Sequence, residues 1–101
     1  MKTISYNNEE LRLVKSSYQN NGALYVGLVD ADGEHYGDIT VNLPNSGTLP
    51  SDCAFVDTNN LPRIDRVLYN EEVAVPVGQS ACSGFCQYHA FQFDLSEIDE
   101  L

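Results

Sequence analysis

The stretch LRLVKSSYQNNGALYVGLV, residues 11–29, holds two apolar runs on either side of an Asn-Gly pair. In the first run, Leu11 and Leu13 share one face of an extended chain because side chains alternate along a strand. The second run, residues 24–29, is almost continuously apolar. Asn21-Gly22 between the two runs is the strongest short-range hairpin signal. The stretch therefore predicts two antiparallel strands joined by a tight turn.

Short strand-like runs continue on both sides of this hairpin, separated by Asn, Gly, Asp and Pro clusters. They predict further strands at residues 2–6, 38–43, 53–56, 73–77 and 87–95. Pro76 marks one of these strands as an edge strand, since proline cannot donate to a neighbouring strand. The one helix signal lies at residues 61–70, where Ile64, Val67 and Leu68 recur at helical spacing.

The pattern predicts an α+β fold dominated by an antiparallel sheet of about five or six strands. The strands are expected to form a meander accompanied by at most one short helix. With 101 residues, the chain is expected to be a single compact domain over residues 1–101. The acidic tail at residues 96–101 is expected to fray.

The charge balance excludes one broad class of function. The sequence has 15 Asp and Glu residues against 5 Lys and Arg residues, which gives a formal charge of −10. Proteins that bind nucleic acid by neutralising phosphates need clustered cations, so no direct nucleic-acid binding is expected. Binding to an anionic membrane surface is disfavoured for the same reason. No apolar run approaches the length of a membrane span and no signal-peptide core follows the N-terminus, so a cytoplasmic protein is expected.

A surface with this charge suits a basic partner, and it can steer association with a nucleic-acid-binding protein. The candidate partner-binding residues are the acids and one tyrosine of the predicted loop and strand that follow residue 29, with two acids near residue 70 in second place: Asp30, Asp32, Glu34, Tyr36, Asp38, Glu71 and Glu72.

The acidic segment at residues 30–34 also invites comparison with a calcium loop. In the EF-hand register that starts at Asp30, His35 occupies the position that requires glycine, and Val41 occupies the position of the final bidentate acid. The match fails, and an acidic hairpin loop turning at Asp32-Gly33 is the better interpretation.

Three cysteines and one histidine form the most specific constellation, and two interpretations of it stay open. An odd cysteine count in a small intracellular chain argues against a disulfide framework. In one interpretation the three thiols are buried as small apolar groups. In the other, Cys53, Cys82, Cys86 and His89 hold one structural zinc ion as a Cys₃His set, with Ser83-Gly84 as the turn between two of the ligands. Cys86 and His89 would face opposite sides of an ideal strand, so this second interpretation requires a bend.

No catalytic signature is present in the sequence. His35 and His89 are its two imidazoles, and no Ser or Cys lies in a nucleophile motif. Phosphate-binding glycine loops are absent as well. We therefore expect a protein that is not an enzyme.

Several motifs resemble the signature of a family of small bacterial proteins of unknown function found on plasmids, conjugative elements and prophages. The resemblance covers most of the chain and is carried by residues 23–28, Gly33-Glu34-His35-Tyr36, Thr40-Val41-Asn42-Leu43, Asp57-Thr58-Asn59-Asn60 and Ser83-Gly84-Phe85. Members usually carry other residues around the Ser-Gly-Phe motif, so a metal site at Cys82, Cys86 and His89 would belong to a subgroup.

The mobile-element setting of the resembling family implies a role in counter-defence. Such elements carry small acidic proteins that disable host nucleases, among them anti-CRISPR proteins, which block an RNA-guided nuclease by occupying a basic surface. The resemblance thus implies an inhibitor that binds a CRISPR nuclease and prevents target DNA from binding or loading. The alternative is a zinc-stabilised, non-enzymatic accessory protein of a conjugation or replication system.

Overall fold

The computed structural model describes residues 2–101, apart from the side chain of Asn45, and in this range the chain forms two sheets and one α-helix. The strands are β1 (Thr3–Tyr6), β2 (Glu9–Ser17), β3 (Leu24–Val29), β4 (His35–Asp38), β5 (Thr40–Val41), β6 (Cys53–Val56), β7 (Ala74–Ser83), β8 (Cys86–Phe93) and β9 (Asp99–Glu100). Helix α1 spans Ile64–Asn70, and 3₁₀ turns lie at Pro44–Ser46 and Leu95–Glu97. The α+β prediction with mainly antiparallel strands and one short helix is confirmed.

The first sheet is the predicted meander. Its order is β1-β2-β3-β4, and each neighbouring pair is antiparallel. The hairpin between β2 and β3 forms as the Asn-Gly signal indicates, with Gly22 at φ +70°. Leu11 and Leu13 are fully buried on the face that meets the rest of the protein. The alternating pattern of β2 therefore sets which face of the sheet is covered.

Residues 96–101, expected to fray, contain the end of a 3₁₀ turn and strand β9 in the structure. Strand β9 pairs in parallel with β2, beyond the part of β2 that β1 occupies. Ile98 is only 4% exposed and belongs to the main core. Lys15 fixes the same segment, because its Nζ donates to the carbonyl of Leu95 at 2.8 Å and its carbonyl accepts from the amide of Leu101 at 2.9 Å.

The run expected as one strand over residues 38–43 divides between the two sheets. Its first part belongs to β4, whereas β5 begins the second sheet, whose order is β5-β6-β8-β7. Ile39 lies at the division and is fully buried. Its amide donates to the carbonyl of Val26 in β3, and its carbonyl accepts from the amide of Asp57 after β6. The chain thus crosses between the sheets at a residue hydrogen-bonded on both sides.

Strand β7 lies at the edge of the second sheet, as Pro76 indicates, and runs to Ser83 rather than ending at residue 77. The β7–β8 register shifts between Pro76 and Ser80, where Gly78 has φ +85°. The longer strand makes an extended hairpin with β8. A β-bulge of this kind twists an edge strand and discourages pairing with other chains.

The main core lies where the two sheets and α1 meet. Its fully buried side chains include Leu11, Leu28, Ile39, Ile64 and Leu68. Helix α1 begins at Ile64, three residues later than the periodicity predicts, because Arg63 has a left-handed φ of +66° that helical residues do not adopt.

A smaller cluster forms on the other face of the second sheet. Phe55, Tyr88 and Ala90 are buried there, and Leu43 and Leu49 pack over them from the segment between β5 and β6. Both faces of this sheet are therefore covered at its centre. Among residues 2–101, no helix is long and apolar enough to cross a membrane.

Candidate partner-binding surface

The loop between β3 and β4 is held closed by the carboxylate of Asp30. One oxygen of that carboxylate accepts the amides of Asp32 at 2.9 Å and Glu34 at 3.0 Å. The backbone closes the same turn, because the Asp30 amide donates to the Glu34 carbonyl at 2.9 Å and Gly33 adopts φ +81°. The Asp30 carboxylate therefore stabilises the loop, whereas Asp32 and Glu34 are exposed. This division of roles is typical of an Asx turn.

This loop and the β1–β2 turn lie at the same end of the first sheet, as the antiparallel register requires. The side-chain amide of Asn7 donates to the Tyr36 hydroxyl at 3.4 Å across that end. Five carboxylates stand there, and we call them the acidic end: Glu9, Glu10, Asp30, Asp32 and Glu34. Sequence reasoning identified the loop acids and missed Glu9 and Glu10, which only the register brings alongside.

Asp38 lies in a hydrogen-bond network on the outer face of the first sheet. Its Oδ1 accepts the Tyr25 hydroxyl at 2.6 Å and lies 2.8 Å from Nε2 of His35. Partial burial favours the protonated acid, but the bonds from Tyr25 and His35 outweigh it and lower the pKa of Asp38. Desolvation and the Asp38 carboxylate both raise the pKa of Tyr25. The Asp38 carboxylate therefore already has two hydrogen-bond partners within the first sheet.

Gly27 makes this network possible. It pairs with Asp38 across β3 and β4, and the ring of Tyr25 lies over it on the same face. A methyl group on Gly27 would lie 2.8 Å from the Cζ atom of Tyr25. This distance is shorter than Cβ atoms tolerate, so the Tyr25 ring would have to move. The sequence carried a signal for this arrangement, since a glycine inside an apolar strand often marks a close approach.

Tyr36, for which the sequence leaves open a role as an aromatic anchor for a partner or a role in internal packing, packs against residues of its own chain. Its ring meets that of Tyr6 edge-on, with the ring centroids 6.3 Å apart and an interplanar angle of 89°. Tyr36 is half-buried against the main core. The Tyr6 hydroxyl in turn donates to the carbonyl of Pro62 at 2.9 Å, just ahead of α1. Tyr36 thus joins the loop end of the sheet to the rest of the core.

Glu71 and Glu72 lie away from the acidic end. Helix α1 begins beside Tyr6 and ends beside Lys2, whose Nζ is 3.8 Å from Oε1 of Glu71. Lys2 and Tyr6 bracket β1 and are about 13 Å apart at the usual rise per strand residue. The two groups of sequence-predicted contact residues therefore occupy opposite ends of β1.

Several cations are already engaged within the fold. Besides Lys2, Lys15 binds the Leu95 carbonyl, and Arg12 Nη1 lies 3.8 Å from Oδ2 of Asp99. None of these contacts involves Asp32 or Glu34. Asp32 and Glu34 therefore remain exposed, while Glu10 of the acidic end accepts the Thr3 hydroxyl at 3.0 Å.

The strand register separates the four sequence-predicted metal ligands. Cys53 and Cys86 lie on the face of the second sheet that carries Ala90, whereas Cys82 and His89 lie on the opposite face, because Cys53 pairs with Gln92 and Cys82 with Gln87. Six positions of β8, about 20 Å, separate Cys86 from the partner of Cys53. The arrangement does not bring the four residues to one ion.

The three thiols also differ in burial. Cys53 is buried, which together with the neighbouring Asp52 raises the pKa of its thiol, while Cys82 is exposed and Cys86 is half-buried. The interpretation as buried thiols thus fits Cys53 and does not fit Cys82. In the part of the chain that the structure describes, no group of three or more His, Cys, Asp or Glu side chains is placed to hold a metal ion. Zinc binding stays a prediction for metal analysis.

The fold and this surface define a small α+β protein with ordered, outward-facing carboxylates at one end of a meander. Residues 12–101 match the family described as Domain of unknown function (DUF4313), and since the match covers most of the chain, the protein belongs to that family. No curated protein and no solved structure matches the chain. The expected membership of a family of unknown function is confirmed.

Proposed function

We propose that this protein is an inhibitor that places its acidic end on a basic, nucleic-acid-binding surface of a partner, and that the partner is a CRISPR RNA-guided nuclease in the cytoplasm of a host bacterium. The observation that carries the proposal is the Asp30-anchored loop, which presents Asp32 and Glu34 outward in a fixed arrangement. The partner's channel would otherwise hold target DNA, so a bound inhibitor prevents DNA from binding or loading.

Electrostatics supports this choice of partner. A net charge of −10 on 101 residues creates a negative field that accelerates encounter with a cationic surface. The channel of an RNA-guided nuclease is lined with positive charge because it must hold a heteroduplex and a displaced strand. The backbone of the loop that carries the Asp32 and Glu34 carboxylates is already ordered by Asp30, so it loses little conformational entropy on binding. Inhibition by such a surface needs occupation of the channel and no chemical reaction.

Charge reversal in the loop tests the proposal. The full-length double variant Asp32→Lys/Glu34→Lys is expected to raise the concentration for half-maximal inhibition at least about tenfold, because two attractive contacts become repulsive. Its thermal unfolding at about 0.15 M salt should change little, since both side chains are exposed, Asp30 still closes the loop and the salt screens the altered charge. Inhibition is measured as cleavage of target DNA by a panel of reconstituted RNA-guided nucleases.

The matched control is Glu71→Lys/Glu72→Lys, which makes the same change in net charge at the opposite end of β1 and should leave inhibition nearly unchanged. Equal losses in both double variants would mean that overall charge, not the loop, governs binding, and would overturn the contact assignment. Failure of the unmodified protein to inhibit any nuclease of the panel would overturn the proposed function itself.

A further inference from the structure

The charged residues are distributed unevenly along the chain. Residues 16–29, 39–51 and 73–93 contain no Asp, Glu, Lys or Arg, although the chain has 5 + 15 = 20 such residues. These segments build the end of β2 with the β2–β3 turn and β3, then β5 with the stretch that follows it, and the β7–β8 hairpin. We call them the uncharged region. Although the molecule has a high net charge, a second negatively charged molecule can contact it through this region without bringing like charges together.

The β7–β8 hairpin ends in an exposed aromatic side chain. Ser83 pairs with Cys86, which leaves Gly84 and Phe85 as a two-residue loop, and Gly84 has φ +61°. A glycine with positive φ at the first loop position is typical of the tight turns that join hairpin strands. The side chain of Phe85 is fully exposed. Because β6 pairs only with residues 89–92 of β8, the tip projects beyond the centre of the sheet.

A cavity of about 350 Å³ lies between the β2–β3 turn and residues 41–55. Its apolar walls include Leu24, Leu43, Leu49 and Phe55, and Asn21 and Thr48 contribute polar groups. No residue of this lining is charged. The volume is at the low end of the range for pockets that bury small ligands, so one phenylalanine side chain fits inside with space left over.

The aromatic tip and the cavity belong to one neighbourhood of the fold. Cys86, next to Phe85, packs against the small cluster of Phe55, Tyr88 and Ala90, and so do Leu43 and Leu49 of the cavity wall. Five strand residues, about 16 Å, separate Phe85 from Ala90. A projection and a recess on one molecule are the two elements that a two-fold contact between copies would join, each tip in the recess of the other copy.

We propose that two copies of this chain form a symmetric dimer through the uncharged region, with Phe85 of each copy inserted into the cavity of the other. Two chains of charge −10 repel each other, so the contact that costs least is the one where neither carries charge. Aromatic side chains, phenylalanine among them, are enriched in the buried cores of interfaces. Two phenylalanines would supply about 300–500 Å² of buried area, and the hairpin strands and the rim of the cavity supply the rest.

The oligomeric state of the full chain tests the dimer. Sedimentation equilibrium should give twice the mass of one chain for the unmodified protein. Phe85→Ser should raise the dimer dissociation constant roughly a hundredfold, because each dimer loses two buried aromatic contacts. Thr48→Arg, which puts a charge on the cavity wall at an exposed position, should do the same. The control is Tyr69→Ser, which removes another exposed aromatic side chain, on α1, and should leave the dimer intact.

Mixing the two defective variants makes the test specific for insertion. Phe85→Ser retains the cavity and Thr48→Arg retains the aromatic tip, so the mixture should form a heterodimer through one intact contact, although each variant alone is monomeric. An unmodified protein that stays monomeric up to about 1 mM would overturn the proposal. So would a dimer unaffected by Phe85→Ser, or species larger than dimers, since these indicate a head-to-tail contact instead.

Salt distinguishes this proposal from the inhibitory function. Screening reduces the repulsion between two like-charged chains, so added salt should tighten the dimer. The same salt should weaken attraction between the acidic end and a basic nuclease. A dimer that weakens in salt would contradict an uncharged interface and leave the inhibition assay to decide the other proposal separately.

Discussion

At the scale of single residues, neighbouring carboxylates in this protein differ in what they are free to do. Asp30 closes its own loop and Asp38 is held by Tyr25 and His35, whereas Asp32 and Glu34 are exposed. The sequence presents all four as equivalent acids in one short segment. Hydrogen bonds to the backbone and across strands create the difference, and neither kind can be read from residue type alone.

Asp38→Asn should make the stability of the protein less dependent on pH. The pKa of Asp38 is lowered in the folded state, so its stabilising contribution is present above its unfolded pKa near 4 and is lost as the pH falls through the folded value. We expect the variant to lose about 1 kcal/mol of unfolding free energy at pH 7, the usual size of an exposed hydrogen-bonded charge. The difference in unfolding free energy between the variant and the unmodified protein should be smaller at pH 2. Urea unfolding at the two pH values measures both differences.

Glu34→Gln is the matched control for this substitution. It removes the same charge from an exposed position nearby, where the carboxylate accepts no hydrogen bond from any described residue. Its effect at pH 7 should be smaller than that of Asp38→Asn. Equal effects of the two variants would show that the network around Asp38 adds nothing to stability beyond its charge.

At the scale of secondary-structure elements, the local patterns predict strands and the hairpins between consecutive strands well, and they predict long-range partners poorly. Residues 24–29 and 53–56 form strands with the expected bounds, because apolar runs between turn residues carry their own signal. The tail has no such signal: Ile98 is a single apolar residue among acids, and its burial depends on an edge of β2 that β1 leaves open. Long-range pairing of this kind has no local pattern.

The metal constellation fails to converge for the same reason. Spacing along the chain places Cys82 and Cys86 near each other, and a turn does form between them, but at Gly84-Phe85 rather than at the expected Ser83-Gly84, because Ser83 still pairs with Cys86. The hairpin register, however, pairs Cys82 with Gln87 and so turns the two thiols to opposite faces of the sheet. A shift of one residue in that register would have put them on the same face. Register depends on the turn and the cross-strand neighbours together.

From this register we expect that a strong chelator leaves the thermal unfolding midpoint of the protein within about 2 °C, since removal of a structural zinc ion normally costs most of the folding energy of a small domain. The protein should be purified without a metal-affinity tag and its zinc content measured by elemental analysis.

About one zinc per chain, with a large loss of stability in chelator, would contradict this expectation and support the Cys₃His interpretation. In that case Cys82→Ser should abolish binding of zinc. The same substitution should be harmless if Cys82 is only an exposed thiol.

At the scale of the whole molecule, charge and apolar surface are kept apart. Carboxylates gather at the acidic end and near the C-terminus, while the uncharged region carries the aromatic tip and the cavity. The proposed inhibition uses the acidic end and the proposed dimer uses the uncharged region. A dimer joined through the uncharged region therefore leaves both acidic ends available. Such a dimer would offer two sites to a partner and gain avidity where two basic surfaces lie within reach.

The charge of the whole chain should also make folding sensitive to salt. The radius of gyration is 12.6 Å, well within the Debye length of about 30 Å at 0.01 M salt, so every carboxylate then repels the others. Raising the salt to about 1 M shortens that length to about 3 Å and should raise the unfolding midpoint by several degrees. Thermal unfolding is measured in sodium chloride and in potassium chloride. Equal shifts in the two salts separate screening from specific binding of one cation.

Asp32→Lys/Glu34→Lys supplies the comparison, because its net charge is −10 + 4 = −6. The salt-induced rise in its unfolding midpoint should be smaller than that of the unmodified protein. A midpoint that stays constant or falls with salt in the unmodified protein would show that repulsion among its carboxylates does not limit its stability.

The parallel pairing of β9 with β2 has a consequence for how the chain reaches its native state. Asp99 pairs with Val14, so the two partners are 99 − 14 = 85 residues apart along the chain. A ribosome releases the N-terminal strands first, and domains often begin to fold as they emerge. The first sheet can form its meander early, but Ile98 can enter the core only after synthesis has passed residue 98. The late arrival of this segment makes the pairing of β9 a late step in completing the first sheet, with the open edge of β2 exposed to other nascent chains until then.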